Sequence, residues 1–563
     1  MTESIQRLLA RLYPMADHAA LMARLAARME QTRARISPPA QRELFSEQDV
    51  VLITYGGTLR RHGESPLRTL HDFGARRLRG VVSAIHILPF FPYSSDDGFS
   101  VQDFYQVDPE LGDWDDVRRI GQDFGLMFDA VFNHMSAQSE WFRAFLAGDP
   151  EFANLFRTES PDADLSGVTR PRVSPLLTPF ERPNGEIVHV WTTFSADQVD
   201  FDIRHPDTLL RLIDILLFYV EQGASIIRLD AIAYLWKTVG TSCIHLEETH
   251  QVIQLMRAVL DEVAPHVIII TETNVPHWEN ISYWGDGTNE AQMVYNFTLP
   301  PLLFHSMLAG NAVRLREWVN TLQAPSPRTT FFNFTASHDG IGVRPVEGIL
   351  DDDELAALVA HVERQQGRVN YRRHPDGSQT PYELNCTYVD AVTDPDEPLE
   401  NQARRFLVSQ AVMLALAGVP AVYIHSLLGS RNDVEGMLAL GHNRAINREQ
   451  LDVDAVEQEL AQPGSFRRLV FEPYQHLISV RRSQRAFHPN APQQALDVGS
   501  PAVLALLRGD DSTGRVLALH NLSGSPQTVR VAFNGRDLVG GAAVSAGSVK
   551  LEPYQALWVA ETV

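Results

Sequence analysis

Residues 225–231 read Ser-Ile-Ile-Arg-Leu-Asp-Ala, and this stretch decides the architecture. Its first half is apolar on both faces, as in a strand buried within a parallel sheet. Arg228 and Asp230 are two residues apart at its C-terminal end, so their side chains leave the strand on one face. Seven more short apolar runs follow the same plan: VVLITYG (50–56), AIHILPF (84–90), LMFDAVFN (126–133), VIIITE (267–272), MVYNF (293–297), FFNFTAS (331–337) and VPAVYIH (419–425). Helical patterns lie between many of them, among them LRTLHDFGARRL, DTLLRLIDILLFYVEQG and THQVIQLMRAVLDEVA. Eight strand-plus-helix units predict an α/β fold, the (β/α)8 or TIM barrel. A doubly wound sheet fits less well, because no Gly-rich phosphate-cradling turn is present.

Working outward, residues 49–490 form the predicted barrel. Residues 1–48 form a separate helical extension in which Leu8, Leu12, Leu21, Leu25 and Met29 recur at helical spacing. Two connections exceed ordinary strand-to-helix loops: 134–200 after strand three and 340–398 after strand seven. Both leave C-terminal strand ends, where barrel enzymes carry their chemistry, and are predicted to roof a pocket as inserted subdomains. From 491 to 563, short alternating runs separated by DDSTG, SGSPQ and NGRD predict a small β-sandwich.

The 563 residues carry 70 acidic and 48 basic side chains, a formal net charge of −22. That balance argues against nucleic acid and anionic membranes as partners. Two cysteines, Cys243 and Cys386, suit a reducing compartment. With no signal-like start and no spanning apolar run, the expected location is the cytoplasm. No His/Cys cluster has zinc-ligand spacing. The sequence leaves the oligomeric state open, a homodimer being one option.

Polar groups end several predicted strands: Asn133-His134, Arg228 with Asp230, Glu272, and His338-Asp339. Singly, each has an ordinary structural explanation: an ion pair, a helix cap or a hydrogen-bonded core pair. Together they converge on one pocket, and several buried polar groups cost stability unless paired. The guanidinium beside Asp230 is expected to keep that carboxylate ionised. Glu272 ends a run of β-branched residues, an environment that raises a carboxyl pKa toward that of a general acid. Two carboxyls flanking one bond, about 5–5.5 Å apart, are what retaining glycosidic chemistry requires.

The stretches DAVFNH (129–134), IIRLDA (226–231), ITET (270–273) and SHD (337–339), in this order, resemble the four motif regions of the α-amylase superfamily, glycoside hydrolase family 13. The resemblance implies Asp230 as nucleophile, Glu272 as acid/base and Asp339 as transition-state stabiliser. It also implies that His134, His338 and Arg228 hold the glucosyl ring. Over about residues 50–560 the chain is most similar to the sucrose phosphorylase branch, through LITYGGTL (52–59), ILPFFPYSSDDGF (87–99), LGDWDDV (111–117), NHMSAQS (133–139), VGTSC (239–243), LPPLLFH (299–305) and SHDGIGV (337–343). By that similarity Asp96 and Arg444 bind the glucose 4-hydroxyl. Phe194 is the aromatic platform, and Tyr234 and Tyr382 lie near phosphate and acceptor.

The branch implies phosphorolysis: an α-glucoside and inorganic phosphate give α-glucose 1-phosphate, with no metal or organic cofactor, since the sugar's own bond supplies the electrophile. The acceptor side departs from the sucrose enzymes at Asn274, at Gln379-Thr380-Pro381 and at Glu383. TETNVPH together with the helical extension is more similar to the glucosylglycerate phosphorylases of the branch. A basic run, Arg368-Val-Asn-Tyr-Arg-Arg-His374, on the second excursion suits an anionic partner, although a solvated loop face would read the same. The alternatives are phosphorolysis of sucrose, sucrose 6-phosphate or glucosylglycerol, a hydrolase or transglucosidase on the same scaffold, and a non-catalytic binding barrel.

Overall fold

A computed structural model describes residues 3–37, 43–172, 174–373 and 378–562. Eight parallel strands close into a barrel: β1 (Val51–Thr54), β2 (Ala84–Ile87), β3 (Gly125–Ala130), β4 (Ala224–Leu229), β5 (Ile268–Thr271), β6 (Met293–Tyr295), β7 (Thr330–Phe334) and β8 (Val419–Tyr423). Each pairs with its sequence neighbours, and β1 closes on β8. Several predicted runs are longer than the strands. The polar residues of FFNFTAS-His338-Asp339, for example, follow β7 in a bend that carries them over the barrel mouth. The register sets Arg228 of β4 beside Asp129 of β3 and beside Ile270 of β5.

The first excursion begins with an antiparallel pair, His134–Ser136 against Gln198–Asp200, and carries a hairpin of Leu177–Glu181 with Ile187–Trp191. The second contains a helix at Asp352–Arg364, started by a capping box of Asp351 and Glu354. It also contains a sheet in which Gln379–Asn385 pairs with both Ile341–Gly342 and Arg368–Arg373.

Helices α1 (Glu3–Leu12) and α2 (His18–Arg35) pack on barrel helices α3 (Pro206–Glu221) and α4 (Glu247–Val263). Ile5, Leu8, Leu25 and Met29 join the main core, and Arg28 pairs with Asp214 and Glu221 of α3. The C-terminal region is a six-stranded antiparallel sheet with a separate two-stranded sheet against it. The two enclose a small core of their own around Val503, Leu517, Leu519 and Val559. Trp558, buried and donating Nε1–H to His520 Nε2 at 3.0 Å, joins the barrel's core from the other face. Among the described residues, no helix is long and apolar enough to cross a membrane.

Candidate active site

Above the barrel mouth, an inner cavity of about 100 Å³ is lined by Asp230, Glu272, Asp339, Arg228, His134, His338, Phe194, Tyr234, Asn274, Tyr382, Asp96 and Arg444. It opens into an outer chamber of about 1510 Å³ between the two excursions. Twelve of the thirteen sequence-predicted site residues therefore meet in one cavity; the thirteenth, Glu383, lines only the outer chamber.

At the floor, the Arg228 guanidinium is 2% exposed and joins three carboxyls. Its Nη1 donates to Asp129 Oδ1 at 2.5 Å and to Asp230 Oδ1 at 2.6 Å, and its Nη2 lies 3.9 Å from Glu272 Oε2. Asp129 also meets His86 Nε2 at 2.7 Å. Burial pushes Asp129 up, and His86 with Arg228 more than reverse this, leaving it below its ordinary value.

Burial raises the Asp230 pKa above the ordinary aspartate value, and the Arg228 guanidinium in contact pulls the other way, as expected of it. Arg228 is shared with Asp129, whose own negative charge pushes in the same direction as burial. Glu272 behaves as expected: burial first, then Asp230 and Asp339, push it up to about 7 against the pull of Arg228. The chain turns sharply after Asp230, with Ala231 in left-handed conformation at φ 48°. That turn aims the Ala231 N–H at Glu272 Oε2, 3.1 Å away, and so ties the two carboxyl-bearing strand ends together.

Asp339 is held differently. Burial opposes its ionisation, but Arg444, with Nη1 2.7 Å from Oδ1, and then His338 and Arg448 keep it well below the usual carboxylate range. His338 is driven below the ordinary histidine value by burial; its ring stacks on Phe99 at 4.9 Å. His134 Nε2 donates to the Phe99 carbonyl at 2.9 Å, which fixes the orientation of that ring at the cavity wall. Phe194 packs between His134 and Tyr234, at 5.3 and 5.6 Å between ring centres.

Two residues predicted at the acceptor end are placed unequally. Asn274 faces the inner cavity with a buried Oδ1 that has no hydrogen-bond partner among the described residues. Its Nδ2 would lie 2.6 Å from a Cβ on Gly342, so that glycine makes room for it. Glu383, 3% exposed, has both oxygens occupied: Gly340 N–H donates at 2.8 Å, Asn370 Nδ2 at 3.0 Å and Arg444 Nε at 3.0 Å. It braces Arg444 and the His338–Gly340 bend from behind.

The predicted basic run divides. Tyr371 and Arg372 line the outer chamber, whereas Arg368 donates to the Gln366 and Gly367 carbonyls. His374 lies outside the described residues. Cations that sequence reasoning missed come from the first excursion: Arg170 and Arg172 line the chamber, and Arg172 also reaches the inner cavity, its guanidinium 6.0 Å from the Tyr382 ring centre. The signal was present as Arg170-Pro-Arg172 in an acidic chain, but nothing in the spacing tied it to a strand end.

The profile of the α-amylase catalytic domain matches residues 79–346, and that of the C-terminal immunoglobulin-like domain of D-apionate lactonase matches 501–559. The glucosylglycerate phosphorylase of Allomeiothermus silvanus is 50% identical over 527 residues, spanning 92% of this chain and 93% of that protein. The Escherichia coli K12 glucosylglycerate phosphorylase is 43% identical over 95% of this chain and 96% of its own. The Agrobacterium vitis sucrose phosphorylase is 32% identical over 81% and 92%. Among solved structures, the sucrose 6F-phosphate phosphorylase of Thermoanaerobacter thermosaccharolyticum superposes with a TM-score of 0.75 at 24% identity, over 90% of this chain and 98% of that one.

Proposed function

We propose, from the premise that this chain belongs to the glucoside phosphorylases of the α-amylase family, that it transfers glucose between an α-glucoside and inorganic phosphate with retention. The observation that carries the chemistry is the single Arg228 guanidinium reaching both Asp230 and Glu272. That arrangement suits two carboxyls flanking one glycosidic bond, one at the anomeric carbon and the other at the leaving oxygen.

In the first step the Asp230 carboxylate attacks the anomeric carbon and the aglycone oxygen leaves with the proton of Glu272. A carboxyl pushed up to about 7 keeps that proton near neutrality and still yields it. In the second step a phosphate oxygen attacks the same carbon, the Asp230 ester bond breaks, and Glu272 takes the phosphate proton. Two inversions give α-glucose 1-phosphate. Asp339, held ionised by Arg444, suits the ring hydroxyls; Asp96 and Arg444 suit the 4-hydroxyl; Phe194 suits the face of the oxocarbenium-like centre.

For the aglycone we favour 2-O-α-glucosylglycerate. Of the acids lining the outer chamber, Asp97 pairs with Arg448 and Glu383 with Arg444, whereas Asp96 meets the Gln198 amide and Asp197 meets serine hydroxyls. Arg172 and Arg372 line the chamber with no carboxylate partner among the described residues, and these two guanidinium groups suit phosphate and the glycerate carboxylate. The two partners are alternative occupants, as a ping-pong sequence requires.

The test is an acceptor panel. Pure enzyme with α-glucose 1-phosphate and D-glycerate, fructose, fructose 6-phosphate or glycerol should release phosphate fastest with glycerate. Equal or faster release with another acceptor would reject glycerate, and water outcompeting millimolar phosphate would favour a hydrolase.

A further inference from the structure

The turn that carries Asp96 has an unusual backbone. Asp96, Asp97 and Gly98 are all left-handed, with φ of 55°, 48° and 108°. Gly98 cannot be replaced cheaply, because a Cβ there would lie 2.6 Å from the Pro89 carbonyl oxygen. Two adjacent non-glycine residues hold such angles only when surrounding contacts over-determine them. On one flank the contact is Arg448 with Asp97. On the other it is Asp197, a residue with no part in the chemistry above.

Asp197 gathers hydroxyls. Ser94, Ser95 and Ser100 lie with Oγ 2.5, 2.5 and 2.7 Å from its Oδ2, and Ser136 Oγ lies 3.4 Å from Oδ1. Three of these serines flank the turn; Ser136 is in the strand at the base of the first excursion. The Asp197 carbonyl accepts from Ala137 N–H at 2.7 Å. The next residue, Gln198, donates from Nε2 to Asp96 Oδ2 at 3.1 Å and to the Phe99 carbonyl at 3.3 Å. One short segment therefore carries the Phe194 ring, the serine-bound carboxylate and the amide that touches Asp96.

We propose that Asp197 is a positioning residue for the glucosyl site: by binding the serines of residues 94–100 it fixes the left-handed turn and aims Asp96 at the sugar. Hydroxyls suit this task better than a guanidinium. They are short, and they add no positive charge that would compete with Arg444 for Asp96, whose field Arg444 already feels after those of Asp339 and Glu383. The carboxylate is half-buried at the wall of the outer chamber, so replacing it opens no cavity in the core.

The proposal rests on the reading of Asp96 as a partner of the glucosyl 4-hydroxyl, and the experiment separates the two. Asp197→Ala, Asp197→Asn and Asp96→Ala are each assayed with α-glucose 1-phosphate and with its 4-deoxy analogue, glycerate as acceptor, after their melting temperatures are compared with wild type. Asp197→Ala should lower kcat/KM about a hundredfold with glucose 1-phosphate. It should change little with the 4-deoxy donor, which has no group for Asp96 to hold. Asp197→Asn, which keeps one accepting oxygen, should recover part of the loss and carries the test if the alanine variant folds poorly. Equal losses on both donors for the Asp197 variants, beside a discriminating Asp96→Ala, would overturn the positioning role alone. Equal losses on both donors for Asp96→Ala would overturn the 4-hydroxyl reading beneath it.

Discussion

The inner cavity and the outer chamber are built by different parts of the chain, and their chemistry differs accordingly. The inner cavity stands on barrel strand ends. Asp230 and Glu272 are fixed by backbone that the barrel closes, are tied through Ala231, and share one buried guanidinium. The outer chamber is made from the two excursions, with Arg170 and Arg172 on one side and Tyr371 and Arg372 on the other. Precision belongs to the strands and selectivity to the loops: groups that make and break bonds tolerate little displacement, whereas groups that choose an acceptor need variety.

The comparison breaks first where the inner cavity is cut. Asp230→Ala should lower turnover of α-glucose 1-phosphate by about 10⁴-fold or more, measured as phosphate release with glycerate. No outer-chamber substitution should approach this; one that did would dissolve the distinction. Next comes Glu272. Because burial pushes it up to about 7, kcat/KM for the α-glucoside should fall as pH rises through that region. Glu272→Gln should remove the limb along with most activity, and should recover glucosylation with α-glucosyl fluoride, whose leaving group needs no proton. A limb that persists in Glu272→Gln would reassign the acid.

Arg172→Ala tests the outer region. Losing a charged hydrogen-bond donor should weaken phosphate by about tenfold or more in KM, with glucosyl transfer from α-glucosyl fluoride to water unaffected. An equal loss in both assays would place Arg172 with the inner cavity. Arg372→Ala, further out, should raise the KM for glycerate only by about a few-fold, as for partly exposed charges.

The smallest effect is on stability. The folded pKa of Glu272 lies above its unfolded value, so the protonated form stabilises the fold at pH below about 4.5 and this advantage is lost as pH rises through about 7. Glu272→Gln should therefore melt a few degrees higher than wild type at pH 8, and the difference should vanish in acid. Scanning calorimetry across pH checks the sign.

How much the sequence reveals follows the same division. The eight strands are legible because each is a continuous apolar run, and the inner residues because strand periodicity puts Arg228 and Asp230 on one face. The field at Asp230 is not legible, since it depends on burial and on Asp129, which sits on another strand and reaches Arg228 only through register. Resemblance sets Glu383 at the acceptor, and its oxygens meet Gly340, Asn370 and Arg444, contacts up to 61 positions apart that no local pattern encodes. Arg172 and the serines around Asp197 share that obscurity: Arg172 lies within the first excursion, and the serines tie the loop after β2 to it, and there the sequence has no period to read.

The central claim is a covalent glucosyl ester on Asp230. Incubation with a slowly turned-over donor such as 2-deoxy-2-fluoro-α-glucosyl fluoride, followed by peptic digestion and mass spectrometry, tests it directly. The account predicts one added fluoroglucosyl unit on the peptide containing Asp230, absent from Asp230→Ala and released by phosphate. A label on another carboxylate, or substrate turnover with inversion and no adduct, would contradict it.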